Sequence, residues 1–151
     1  MDSAKTLQES ENTLVVVAPM RSGPVKVSFF GGRAIGRINE PSQIDDSNLL
    51  VASLDDLLAT KLKAILDRAE AKDYRDISAM LSAGMSLEKA LGAFAKMYGK
   101  DPGLPLRALG YFKDNDLPSL SKSDREILQA ARDSVSKIPD VPIAYGSLAG
   151  R

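Results

Sequence analysis

The feature that most constrains this chain is a change of period near residue 52. Before it, apolar residues come in short runs and alternations of two; after it they recur every three to four residues. Thr13-Leu-Val-Val-Val-Ala is rich in β-branched residues, and Val25-Lys-Val-Ser-Phe-Phe alternates before ending apolar. Met20-Arg-Ser-Gly-Pro lies between them and supplies turn residues, so the spacing predicts a β-hairpin over 13–30. Residues 31–50 carry Gly31, Gly32, Gly36, Pro41 and the pair Asp45-Asp46, and read mostly as loop, with a last short strand over 49–52.

The remainder reads as helix. Ser53, with Asp56 three residues on, opens a helix from Leu54 to Ala69. A second runs from Ala71 or Lys72 to Ser82 and is closed by Gly84. Ser86 caps a third, Leu87 to Tyr98, which Gly99 stops. A short helical turn around Pro105 to Tyr111 follows, then a last helix from Ser121 to about Lys137. The expected class is α+β: an N-terminal β-hairpin followed by a mainly helical bundle of about four to five helices. The expected division is 1–52 (hairpin and loop), 53–138 (helical region) and 139–151 (flexible or extended tail with two Pro and two Gly).

Composition narrows the chemistry. A chain of 151 residues with 44% hydrophobic residues can bury a single sizeable core. It has 20 basic and 20 acidic residues and no net charge, which gives no general attraction to nucleic acid or anionic membranes. It contains neither His nor Cys. Ser-His-Asp and Cys-His nucleophiles, common zinc sites and disulfides are therefore excluded. Acid–base or metal chemistry falls to carboxylates, Lys, Tyr and hydroxyls, and a metal would be a hard ion such as Mg²⁺. The polar N-terminus is no signal peptide, and the run from Leu14 to Met20 is too short to span a bilayer, so a cytoplasmic location is expected.

Helical geometry singles out one cluster. With Leu54 at zero, Leu58 and Ile65 fall at about 40° and 20°, Leu57 at about 300°, and the apolar arc centres near about 20°. Lys61, at about 340°, lies inside that arc, and Arg68, at about 320°, lies on the same side. On the next helix Asp73 points with Ile77, Met80 and Leu81, flanked by Asp76. Inward cations from one helix thus meet an inward carboxylate from the next. Such a set is either a partly buried structural ion pair or an anion-binding site, and periodicity leaves both open.

The run from Val51 to Ile77 resembles the AbiEii/AbiGii toxin-type nucleotidyltransferases of the polymerase-β-like superfamily. The matching positions are Leu57, Ala59, Lys61, Ala64, Arg68, Lys72, Asp73 and Asp76. The likeness extends through Val25–Gly32 and Leu106–Leu120. It implies the enzymatic half of a bacterial toxin–antitoxin or abortive-infection system, which moves a nucleotidyl group from an NTP with Mg²⁺. Lys61, Arg68 and Lys72 would bind the nucleotide, Asp73 would be the catalytic residue of the family's later acidic motif and Asp76 its support; no metal ligand is assigned. The hairpin would be a remnant of the nucleotidyltransferase sheet. The family's metal-binding Asp-x-Asp strand is expected to lie before the matched part, so the chain alone is expected to be inactive. Ser28 stands where the superfamily often offers a third carboxylate. Asp45-Asp46 is no substitute for Asp-x-Asp, because adjacent strand residues face opposite ways. The alternative is a non-enzymatic module that dimerises or completes a partner through its strands. NTP, an antitoxin, and a second copy or other partner chain are the expected partners.

Overall fold

The computed structural model describes residues 3–30, 36–46 and 49–144, with the side chain of Phe30 left aside. The chain forms two compact units, residues 1–34 and 35–151. The class is α+β: a three-stranded antiparallel sheet followed by five helices.

The first unit is that sheet, in the order β1 (Lys5–Ser10), β2 (Thr13–Met20) and β3 (Gly23–Phe30). The expected hairpin is β2–β3, running from Thr13↔Phe30 to Met20↔Gly23 around a two-residue turn. Gly23 adopts φ +119°, which a side chain would oppose. β1 is an addition to the hairpin. All six of its side chains are exposed, so no apolar alternation marks it in the sequence; it is held by backbone pairing to β2, with an irregularity between Thr6 and Gln8. The β2–β3 register puts Leu14, Val16 and Ala18 on the same face as Phe29, Val27 and Val25. Leu14, Val25 and Phe29 on that face are exposed.

The second unit opens with the small antiparallel pair β4 (Ser42–Gln43) and β5 (Leu50–Val51). Asp45 and Asp46, between the two strands, are in a turn, with Asp45 at φ 41°. The Asp pair thus lies in a turn within the expected loop, a role short polar side chains suit. The glycine pair at 31–32 lies outside the described residues.

Five helices follow: α1 (Leu54–Asp67), α2 (Ala71–Ser82), α3 (Leu87–Tyr98), α4 (Gly103–Ala108) and α5 (Lys122–Asp133), with a 3₁₀ turn at Leu117–Ser119. The caps read from sequence are present. Ser53 accepts from the Asp56 amide, Ser86 from Lys89 and Ser121 from Asp124, and Gly99 closes α3 in the left-handed region. α5 ends at Asp133, four residues short of the expected limit. The segment Asp133-Ser-Val-Ser is poor in helix formers, and the Glu88 carboxylate accepts from the Ser136 amide instead.

α1 packs against α2, α3 and α4, and α2 against α5. The shared core takes Leu58, Leu62 and Ile65 from α1, Tyr74 and Ile77 from α2, Leu87, Leu91, Phe94 and Met97 from α3, and Leu128 from α5. Burying each large side chain contributes about 1.5–3 kcal/mol. Residues 139–144 have no helix but are anchored. Val141 is buried, Gly92 leaves room for Pro139 and Val141, and the Ala144 amide donates to Arg37 O at 2.8 Å.

Candidate functional site

The α1 face is rotated from the sequence expectation. Leu58, Ala59, Leu62 and Ile65 are its buried apolar residues, which centre the arc near about 70° instead of 20°. Leu54 and Leu57 are exposed, and Lys61 sits at the rim of the core with 24% of its side chain accessible. The reason lies in tertiary packing: α2, α3 and α4 all pack on α1, and the side they cover holds the fully buried Ala59 and Leu62, a choice the wheel alone cannot see.

Asp73, on the first turn of α2, is fully buried, as its place beside Ile77 predicted. Short Arg68–Glu70 backbone between α1 and α2 brings the two helices' charges together. Lys61 Nζ lies 3.2 Å from Asp73 Oδ1 and 2.7 Å from Asp76 Oδ2. Arg68 donates through Nε to Asp73 Oδ2 at 2.9 Å and through a terminal nitrogen to Oδ1 at 3.3 Å. One buried carboxylate thus accepts from both cations, and the bidentate Arg68 contact is the strong form of such a pair. Lys72 does not join them. It is 63% exposed and reaches Glu70 at 3.1 Å.

The electrostatics follow the geometry. Burial pushes the Asp73 carboxyl up, but hydrogen bonds from Arg68 and Lys61, and their charges, outweigh it and hold the group below the ordinary Asp value. Burial likewise pushes Lys61 down, while its bonds to Asp76 and Asp73 leave it above the usual lysine value. The bond to Asp73 raises Arg68. Lys61, Arg68 and Asp73 are therefore all charged at neutral pH, two cations fixed by one buried anion.

Two neighbouring anchors escaped the sequence reading. Asp56, taken only as part of a cap, is buried and accepts from the amides of Ile38 (2.7 Å) and Asn39 (3.2 Å) and from the Ser53 hydroxyl (2.7 Å). It fastens the chain at 38–39 to the start of α1. Asp116 Oδ1 accepts from the Ala71 amide at 2.8 Å, replacing the side-chain cap that Glu70 does not provide. Its partner is 45 residues away, so no local pattern could mark it. Tyr74, next in sequence to Asp73, donates to Ala108 O at 3.3 Å, and burial pushes its hydroxyl up to about 12. Phe112 meets its ring edge-on at 6.2 Å, while Tyr111 is exposed.

The donor chemistry can be tested against Mg²⁺. Both Asp73 oxygens already receive cationic donors and Asp76 faces Lys61, so a metal here would sit against two positive charges. Among the described residues no group of three or more carboxylates is placed to hold a metal ion. These residues suit an anion more than a cation. Lys61 and Arg68 are each partly accessible, and Asp76, 54% exposed, is the partner most easily displaced by a competing anion. Ser28, on β3, pairs across from Val15 in the sheet. No described helix is long and apolar enough to cross a membrane.

A family model described as nucleotidyl transferase AbiEii toxin, type IV TA system, matches residues 4–144. No curated protein and no solved structure matches the chain.

Proposed function

Because the chain belongs to the AbiEii nucleotidyl transferase toxin family, we propose that the α1–α2 ion cluster is its nucleotide-phosphate site. The observation that carries this reading is the pair of cations, Lys61 and Arg68, oriented by one buried carboxylate and still open to solvent. Lys61 binds the phosphates of an NTP by exchanging its bond to Asp76 for a phosphate oxygen. Arg68 adds a planar second donor, and Lys72 supplies exposed positive charge from the first turn of α2. Asp73 acts through them: with both oxygens engaged, it holds the cations in place as a positioning residue. Asp76 supports Lys61 when no nucleotide is bound. The setting is the cytoplasm of a bacterium, with an antitoxin as the counterpart of the toxin.

The chain alone binds NTP without transferring a nucleotidyl group, since the carboxylates of this cluster are committed to cations. The Mg²⁺ dependence implied by the family is not assigned to these residues. The test is a thermal-shift series with ATP, CTP, GTP and UTP. At least one should stabilise the chain, and Lys61→Ala should abolish that response. No shift with any of the four, or an undiminished shift in Lys61→Ala, overturns the nucleotide site. Robust Mg²⁺-dependent incorporation of labelled nucleotide by the purified chain overturns the inactivity.

The exposed apolar residues of the β2–β3 face favour a second reading, an interaction module that associates through its strands. Sedimentation at high micromolar concentration checks it, and a monomer counts against it.

A further inference from the structure

The two edges of the N-terminal sheet are defended unequally. β1 is irregular between Thr6 and Gln8 and carries Lys5 and Glu9, both devices that discourage strand addition. β3 is eight residues long and pairs with β2 without a break, and no described strand covers its outer edge. Its interior holds one charge, Lys26, and its only proline stands at the second position.

The hairpin turn fixes which backbone groups face outward. A two-residue turn makes Met20↔Gly23 the closing hydrogen-bonded pair, so Gly23, Val25, Val27 and Phe29 direct their N–H and C=O groups to β2. Pro24, Lys26, Ser28 and Phe30 direct theirs outward. The facing of Pro19 and Pro24 fits this alternation, since neither can donate.

We propose that the outer edge of β3 pairs antiparallel with β3 of a second copy of this chain, about a two-fold axis at Val27, to form a six-stranded sheet. The inference rests on the second reading above and names its surface and partner. Charge and length select the register. Centring on Lys26 sets lysine directly opposite lysine, and residues 13–30 contain no carboxylate to relieve it. Centring on Ser28 pairs only residues 26–30. Centring on Val27 uses 24–30, places Lys26 opposite Ser28 as a hydrogen-bonded pair, and sets Val25 against Phe29. Pro24 costs one bond at each end and leaves the middle intact. The apolar faces of the two hairpins then run together as one surface.

The chain has no Cys, which makes the register directly readable. At a non-hydrogen-bonded self-pair the two Val27 Cβ atoms approach to about 5 Å, near disulfide range. The two Val25 residues stay about 13 Å apart. Full-length Val27→Cys should therefore oxidise to a reducible dimer at least ~10-fold faster than Val25→Cys. Ser28→Pro removes an outward donor but no bond to β2, so it should yield a monomer with the helical signal unchanged. Equal cross-linking at 25 and 27, or a Ser28→Pro chain that dimerises like the parent, overturns the β3 edge while association by another surface survives. A parent chain that stays monomeric at several hundred micromolar overturns both.

Discussion

Asp73→Ala is the sharpest test of what the ion cluster contributes to the fold. The wild-type carboxylate is fully buried and accepts three hydrogen bonds, one from Lys61 and two from Arg68. Removing one partner of a buried pair costs about 3–5 kcal/mol when the other is left uncompensated. Here Lys61 keeps Asp76 and Arg68 is half exposed, so part of the loss is recovered in water and the lower end, about 3 kcal/mol, applies. The second unit spans residues 35–151, and a unit of that size has an unfolding entropy of about 0.25 kcal/mol/K. The expected fall in Tm is then about 12 °C at pH 7, followed by circular dichroism at 222 nm. The pH dependence has a definite sign. The folded-state pKa of Asp73 lies below its unfolded value near 3.8, so its contribution is complete above that value and disappears as pH falls through the folded pKa. Wild type and Asp73→Ala should converge in stability in that acidic range. A loss below about 3 °C at pH 7, or a gap that persists unchanged at low pH, refutes the reasoning.

Other consequences are as concrete. Asp56→Ala strands the amides of Ile38 and Asn39 and should cost about 3 kcal/mol, with faster hydrogen exchange at both. Ser53→Ala, which removes a cap bond, should cost only about 1 kcal/mol in the same melt. Gly92→Ala drives a Cβ into Pro139 O and to within 2.8 Å of a Val141 methyl carbon. Displacing Val141 and the Ala144 bond outweighs the gain in helix propensity by about 2 kcal/mol, and trypsin should cut faster after Lys137. Lys61, whose folded pKa is raised above 10.5, stabilises below that value and loses its contribution as pH rises through the folded pKa. An alkaline melt of Lys61→Met should therefore approach wild type above pH 10.5 from below.

Much of this was legible because the signals are local. The caps at Ser53, Ser86 and Ser121 and the stop at Gly99 each depend on residues within one turn of each other, which the sequence displays directly. The meeting of Lys61, Arg68 and Asp73 was also readable, since a short connection forces successive helices to share a face. The rotation of α1 was not, because Leu54 and Leu57 look as apolar as Leu58 and only neighbouring helices decide which are covered. β1 escaped because backbone pairing needs no side-chain pattern, and Asp56 and Asp116 because their partners lie far along the chain.

The docking of Val141 against Gly92 also has a meaning in time. A ribosome delivers α3 with its slot unfilled, and the residue that fills it emerges about fifty positions later. At 5–20 residues per second that is a wait of roughly 3–10 s, during which the helices can assemble but not close. The strand edges of the N-terminal sheet are already outside by then.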